Sequence, residues 1–277
     1  MKISCLSLCG LALALELSPA IAGPVCQNAA SPCQNTLTQE EVLAAARRYA
    51  ARYMANLPSF ACTQTTNQYE AGKRAKHWRK GDCLTSQLIW DQGREQRTLQ
   101  LVNNRPVSNQ AFWRSPLVSE GEFGNLLDSV LGNSSGATFV WRGSETVAER
   151  PVGIFEYSVD RRHSSMRLSV GSAEAVLPFH GAIYADETNG TVWRITNNAD
   201  ELPPELRTRS VSRSVDYGPI SIGDNQFVLP VSATVLLDTG NGTIRNELRF
   251  DNYRKFTADS HISFTSEADM KADPAKH

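Results

Sequence analysis

The sequence predicts an α+β protein: an antiparallel half-open β-barrel or curved sheet, with an N-terminal helix and an inserted helix over the concave face. Two observations predict this class. Apolar and polar residues alternate through most of the chain beyond residue 60, which is typical of antiparallel strands with one buried and one wet face. Two segments instead carry apolar residues at helical spacing.

The first helical segment follows residue 37. Thr38 and Glu41 have the spacing of a capping box, in which each residue satisfies the other's free backbone N–H. Pro58 ends the segment because proline cannot continue a helix. The apolar side chains that share one face of this helix are Val42, Ala46, Tyr49 and Tyr53.

The period of two is clearest in the segment 226–238. Its alternate residues from Phe227 to Leu237 are apolar, including Leu229, Val231 and Val235, and Pro230 indicates an edge or a bulge. The next strand, 242–250, places Ile244, Leu248 and Phe250 inside, after a turn at 238–242. Further strands are expected at 85–91, 97–103, 137–143, 153–160, 166–170, 191–196 and 260–264.

A second helix interrupts the strands near residue 125. Its apolar residues recur at helical spacing, and Gly132 ends it. A helix this short needs to bury its apolar face. We therefore expect it to cross the concave face as a lid, with Phe123 and Leu127 toward the cavity. The residues expected to avoid that face are Glu122, Asn125, Asp128 and Ser129.

The composition excludes two classes of protein. The chain has 277 residues, 21% of them charged, and a formal net charge of -1. A nucleic-acid-binding protein would carry a marked basic excess, and an acidic disordered chain a large negative charge. The apolar content is sufficient for a substantial core.

The N-terminus has the features of an export signal. A short apolar run follows Lys2, and Ala20 and Ala22 form the small-residue pattern that precedes cleavage. The alternative is a membrane anchor, but Glu16 interrupts a run that would need about 18 apolar residues. We expect a periplasmic or secreted protein without a transmembrane segment after cleavage. The expected organisation is a signal peptide at 1–22, a cysteine-containing leader at 23–37, one domain at 38–265 and a disordered tail at 266–277.

Four of the six cysteines remain after the predicted cleavage site. An even number in an exported chain favours disulfides. A zinc site is the competing interpretation, but no closely spaced Cys/His pair of the kind that binds zinc occurs. Four cysteines allow three pairings, and we expect neighbours in sequence to pair. The expected disulfides are Cys26–Cys33 and Cys62–Cys83.

The acidic loop at 186–190 could hold a metal or could only turn the chain. Asp186, Glu187 and Asn189 carry oxygens, but a calcium loop needs more ligands at regular spacing. Asn-Gly is a strong hairpin signal, so we expect a turn. No cluster or glycine-rich phosphate loop elsewhere indicates a metal or a cofactor. We expect no cofactor and no enzymatic activity.

The segment 132–136 fits the G-x-S-x-G pattern of a nucleophilic serine at Ser134. That motif requires a strand entering and a helix leaving the loop. Here a helix enters and a strand leaves, so we expect a polar connecting loop. His163 and His180 are the candidate bases, and nothing in the sequence brings either near Ser134. A hydrolase built on this serine is our third hypothesis.

One dense basic stretch runs from Lys73 to Lys80 and contains Trp78. It could contact an anionic membrane surface or an acidic partner. The alternative is a solvated hairpin end that protects a sheet edge from aggregation. The sequence leaves both interpretations open.

The order of elements resembles a known superfamily. The segment 183–196 has a strand ending in Asp, a D-x-x-x-G turn and a return strand. A strand at 227–235 follows. The segment 245–256 comes next and contains an Arg-Phe-x-x-Tyr motif. These features resemble the LolA/LolB-like superfamily of exported lipoprotein carriers and sensors over residues 38–265, and still more closely uncharacterised secreted bacterial proteins. The resemblance implies a half-open barrel whose concave face, covered by helices, holds acyl chains. The lipidation signal of the lipidated members is missing.

Our leading hypothesis is a non-enzymatic exported protein that binds a lipid, a lipoprotein or another apolar ligand in a concave cavity. The alternative is an envelope interaction or scaffold protein that has no cavity and binds another protein through its sheet edge or basic hairpin. We expect no binding to nucleic acid. The candidate ligand-binding residues are Phe123, Leu126, Leu127, Val130, Leu229, Val231 and Val235.

Overall fold

A computed structural model describes residues 37–75, 77–107, 122–200 and 202–256. The predicted signal peptide, most of the cysteine leader, the strand at 260–264 and the tail lie outside them. The helices in these ranges are α1 (Gln39–Asn56), α2 (Asn125–Leu131) and a 3₁₀ helix (Pro204–Leu206). The strands are β1 (Phe60–Gly72), β2 (Arg79–Asp91), β3 (Arg94–Val102), β4 (Arg105–Pro106), β5 (Thr138–Val147), β6 (Arg150–Val159), β7 (Arg167–Val170), β8 (Ala173–Val176), β9 (Phe179–Asp186), β10 (Val192–Ala199), β11 (Ser210–Ile222), β12 (Asn225–Asp238) and β13 (Gly242–Lys255).

The long strands form one antiparallel sheet of 11 strands in the order β4-β3-β2-β1-β13-β12-β11-β10-β9-β6-β5. β7 and β8 pair separately. The strands β4 and β5 stand at the two edges, and the sheet does not close into a barrel. The predicted fold class is confirmed: a curved antiparallel sheet with an N-terminal helix and a second, inserted helix.

Several hairpins turn on two residues whose φ angles are both positive. Gln92 and Gly93 have φ of 48° and 79° between β2 and β3, and Ala148 and Glu149 have 47° and 64° between β5 and β6. Such turns match the right-handed twist of the strands that they join. They place consecutive strands side by side and fix the register of the sheet.

α1 begins and packs as its sequence predicts. The Thr38 hydroxyl accepts from the Glu41 N–H at 3.3 Å, and the Glu41 carboxylate accepts from the Thr38 N–H at 2.8 Å. Val42 and Ala46 are fully buried and Tyr53 nearly so, while Tyr49 is half-buried. The helix packs on α2 and on β6, β9 and β10. Neither described helix is both long and apolar enough to cross a membrane.

One apolar cluster extends between the helices and the sheet. It combines α1 residues, the stripe of α2 and side chains from most of the long strands, such as Phe60, Ile183 and Leu248. A small second cluster forms around Leu84 and Leu99 on β2 and β3. The concave face is thus the main core of the described chain, and the sites discussed below lie within it or at its rim.

Candidate functional site

Most of the predicted ligand-binding residues lie together in this core. Leu126 and Val235 are 2% and 3% exposed, and the others except Val231 are fully enclosed. In this conformation they are packed side chains, so a ligand could reach them only after the elements that cover this face had moved. The enclosed residues are Phe123, Leu126, Leu127, Val130, Leu229 and Val235.

Val231 is the exception, because β12 contains a bulge at this point. Ser232 pairs with Asp216 and Pro230 pairs with Tyr217, which leaves Val231 as the extra residue. Its half-buried side chain faces Gly218, where an added Cβ would lie 2.9 Å from Val231 Cγ1. The period of two therefore fails at Val231. Of the two alternatives that Pro230 indicates, an edge or a bulge, the structure shows the bulge.

Phe123 anchors the N-terminal end of α2 on the sheet. Its ring lies 5.4 Å from Phe60, 5.1 Å from Phe250 and 6.3 Å from Tyr253. The contact with Phe250 is edge-to-face, which adds specific aromatic attraction to the burial of apolar area. This aromatic cluster joins the inserted segment to β1 and β13.

A charged network is buried beside the aromatic cluster. A carboxylate oxygen of Glu122, whose side chain is fully buried, lies 3.5 Å from Arg97 and another 3.5 Å from Arg213. Arg97 also pairs with Glu95, and Arg213 Nε donates to Asn197 Oδ1 at 3.4 Å. The sequence-based placement of Glu122 away from the apolar face is therefore wrong. Glu122 precedes α2, so helical spacing does not govern where it points.

Four tyrosines lie between α1 and the sheet. The Tyr157 hydroxyl donates to the Thr196 carbonyl at 2.6 Å, and the Tyr217 hydroxyl donates to the Glu122 carbonyl at 3.4 Å. The hydroxyls of Tyr49 and Tyr53 on α1 are buried and have no hydrogen-bond partner among the described residues. Burial raises the pKa of both phenols, so they stay protonated and can donate.

The acidic loop at 186–190 is a turn, as the sequence predicts. Asp186 Oδ1 accepts from the Thr188 N–H at 2.9 Å, and Asp186 Oδ2 accepts from Trp193 Nε1 at 3.3 Å. Asn189 Oδ1 accepts from the Thr191 N–H at 2.8 Å. The loop's side-chain oxygens thus serve the hairpin itself. The described residues contain no group of three or more His, Cys, Asp or Glu placed to hold a metal ion.

The loop at 132–136 connects α2 to β5, in the reverse order from a nucleophile elbow, as the sequence indicates. The fold nevertheless brings His163 to this loop, because its ring lies against Gly136, where an added Cβ would be 2.5 Å from Cγ of the ring. His163 Nδ1 lies 2.8 Å from Asp160 Oδ1. No hydrogen bond joins this ring to Ser134 or Ser135 in the described structure. Ser135 Oγ instead accepts from the Ala137 N–H at 3.3 Å, and His180 pairs with Asp200 at 3.5 Å.

The predicted disulfide between Cys62 and Cys83 is wrong. Cys62 pairs with Leu88 and Cys83 pairs with Asn67, so the two cysteines stand five positions apart along the ladder, roughly 16 Å. Five is an odd number, which places their side chains on opposite faces of the sheet. A disulfide needs Cα atoms within about 7 Å. Both thiols are free, whereas Cys26 and Cys33 lie outside the described residues.

This geometry predicts that the two thiols differ in reactivity. Cys62 is 2% exposed, and burial raises the pKa of its thiol, which disfavours the reactive thiolate. Cys83 is half-buried on the outer face. Iodoacetamide should therefore alkylate Cys83 in the folded protein and Cys62 only in urea, as measured by peptide mass spectrometry. A Cys62–Cys83 peptide in that map would contradict the register.

Comparisons with known proteins find similarity in solved structures. No protein-family model and no curated protein matches the chain. Among solved structures, a LolA superfamily protein from Nitrosomonas europaea is 10% identical with a TM-score of 0.34, covering 80% of this chain and 94% of that one. A putative outer membrane lipoprotein-sorting protein domain from Vibrio parahaemolyticus is 11% identical with a TM-score of 0.37, covering 84% and 97%. A DUF1329 family protein from Desulfovibrio piger is 11% identical with a TM-score of 0.37, covering 79% and 95%. At these values the similarity concerns general architecture, and function has to be argued from this chain's own residues.

Proposed function

We propose that this protein is a non-enzymatic, exported binding protein that takes up an apolar ligand, such as the acyl chain of a lipid or lipoprotein, on its concave face. The observation that carries the proposal is that a short helix, α2, packs over that face. α2, a helix of only seven residues, contributes four buried side chains to the apolar cluster on that face. Ligand sites are lined mainly by apolar side chains, so this enclosed apolar face would have to be uncovered before it could bind a ligand.

The ends of α2 support its role as a movable cover. A helix of this length is marginal by itself and depends on tertiary contacts. Its N-cap, Gly124, has φ of 142° and makes no side-chain capping bond, and Gly132 closes the other end. A glycine at this end lets the backbone change direction at little cost in strain. Displacing α2 would uncover part of the apolar cluster that it shares with the sheet.

The two tyrosine hydroxyls support the binding of a ligand that has a polar end. Tyr49 and Tyr53 project from α1 with donors that no described residue satisfies. The Tyr53 ring lies beside Gly124, where an added Cβ would be 3.6 Å from its Cε1 atom. A carbonyl or carboxylate oxygen at the head of an acyl chain would satisfy these donors beneath the hinge of α2.

Leu127→Asp tests the proposal, since Leu127 is fully buried in the stripe of α2. A charge there cannot stay in an apolar site, so α2 should undock while the sheet remains folded. We expect circular dichroism close to that of the wild type, together with loss of co-purifying lipid in native mass spectra. Saturable binding of the neutral fluorescent probe N-phenyl-1-naphthylamine should also be lost. Asn125→Asp places the same charge on the exposed side of α2 and should retain both.

Three outcomes would contradict the proposal. An unfolded Leu127→Asp would make α2 an integral part of the core. A folded variant with undiminished probe binding would place the ligand elsewhere. If the wild-type protein carries no lipid and does not bind the probe, it does not bind an apolar ligand.

One observation favours the alternative of an interaction protein. β5 is an edge strand of 10 residues, and Val140 on it is 54% exposed. An unpaired edge can accept a strand from another chain. The same native mass spectra distinguish the alternatives, because a co-purifying polypeptide in the absence of lipid would favour this second function.

A further inference from the structure

A pocket of about 370 Å³ lies at one end of the sheet. Three connections meet there: the turn after β1, the segment between the 3₁₀ helix and β11, and the turn between β12 and β13. Each contributes to the wall, and the first two supply its charges. The cationic residues of the lining are Lys73, Arg207 and Arg209.

The lining of the pocket carries positive charge only. None of the three cations forms an ion pair among the described residues, and no lining residue is acidic. Asp238 precedes the pocket in sequence, but its Oδ1 atom accepts from the Gly240 N–H at 2.6 Å within the turn. The three cations outnumber this one neighbouring carboxylate, and the excess positive charge raises the local potential for an anion.

Main-chain hydrogen bonds hold the pocket in shape. The Arg209 N–H donates to the Asp238 carbonyl at 2.7 Å, and the Lys73 N–H donates to the Asn241 carbonyl at 3.0 Å. Gly240 leaves room for the Arg209 side chain, because an added Cβ would lie 2.8 Å from Arg209 Nε. The cations therefore project from connected turns, so the site is built into the fold.

The backbone of Arg207 is in an unusual conformation. It caps the 3₁₀ helix with φ of 48° and ψ of 30°, in the left-handed region that favours glycine. An L side chain at such a position strains the backbone. A glycine would suffice if the position served only to end the helix. The presence of an arginine that lines the pocket points to a role for its side chain.

We propose that this pocket binds a phosphate group. Arginine presents paired donors that match phosphate oxygens, and a lysine adds a point charge. The group could belong to a lipid headgroup or to free phosphate. Trp78, on the hairpin that starts at Lys73, is 38% exposed and lies under Arg245 at 4.4 Å, and an exposed tryptophan is typical of a membrane interface. This tryptophan favours a lipid headgroup over free phosphate as the source of the phosphate group.

Two variants with equal charge change test the pocket. Arg207→Gln removes one cation that lines it, and Arg74→Gln removes one exposed cation next to Lys73 that does not. Binding is measured by calorimetry with inorganic phosphate and by sedimentation with phosphatidylcholine vesicles with and without phosphatidylglycerol. We expect Arg207→Gln to weaken binding roughly tenfold or more, because it loses charge-assisted hydrogen bonds. Arg74→Gln should weaken it less than about threefold.

The two ligands separate the sources of the phosphate group. Binding to phosphatidylglycerol vesicles alone would assign a headgroup, and binding to inorganic phosphate as well would assign the phosphate group itself. Arg207→Gly, which relieves the backbone strain, should melt at or above the wild-type temperature and still lose binding. Equal losses of binding in Arg207→Gln and Arg74→Gln would mean that the overall positive charge of this region, and not the pocket, binds the ligand. That result would overturn the proposal. Failure of the wild type to bind either ligand would also overturn it.

Discussion

Glu122→Ala should destabilise the protein by about 3–5 kcal/mol, the cost of removing one member of a buried ionic group. Its carboxylate lies between two guanidinium groups, of which Arg97 is 5% and Arg213 16% exposed. Without Glu122, these cations would lose a counter-charge at a place that water reaches poorly. Urea unfolding followed by tryptophan fluorescence measures the loss.

The control for this prediction is Glu205→Ala. Glu205 is an exposed residue of the 3₁₀ helix, and its removal should change the free energy of unfolding by less than about 0.5 kcal/mol. Similar small losses in both variants would mean that the buried network contributes little to stability. A large loss confined to Glu122→Ala would mean that the segment before α2 is fixed to β3 and β11 by charge as well as by Phe123.

The sequence predicts those elements whose burial follows a regular period. α1 has a complete capping box and a continuous apolar stripe, so both its start and its buried face could be predicted. In β13, Leu248 and Phe250 are buried and Ile244 packs against the core, as alternation indicates. Helix caps and buried faces of this kind depend on residues that are close together in the sequence, so a single sequence is sufficient to predict them.

The sequence-based predictions fail for features that depend on contacts between residues far apart in the chain. The Cys62–Cys83 pairing depends on the register between β1 and β2, which no local pattern specifies. The sequence does not predict β11, because the charged Arg213 stands at a half-buried position between Val211 and Val215 and interrupts the apolar alternation. That arginine is acceptable inside the sheet because Glu122, far away in sequence, supplies a counter-charge. Neither partner can be recognised without the other.

The candidate sites also differ in how far the sequence predicts them. The apolar residues of α2, and those of β12 except Val231, could be chosen from the sequence because they follow a regular period. The phosphate pocket could not, because its three cations come from two separate connections of the sheet. Lys73 belongs to the basic stretch that the sequence shows, but Arg207 and Arg209 reach it only because β1, β13, β12 and β11 are neighbours.

Gly190→Ala should destabilise the protein by about 2–5 kcal/mol, the sum of left-handed strain and overpacking. Gly190 has φ of 75°, and an added Cβ would overlap the carbonyl carbon of Ala45 and the amide nitrogen of Ala46. These are backbone atoms of α1, which cannot rotate away, so the β9–β10 hairpin would have to lift from the helix. The melting temperature and urea midpoint measure this loss.

Gly93→Ala separates the two contributions. Gly93 has φ of 79°, nearly the same as Gly190, but an added Cβ there meets no atom within 4 Å. This control should therefore lose only the strain, about 1–2 kcal/mol. The excess loss in Gly190→Ala measures how tightly the hairpin holds α1 against the sheet. Equal losses in the two variants would mean that α1 yields easily, in which case α1, rather than α2 alone, would be a movable cover of the concave face.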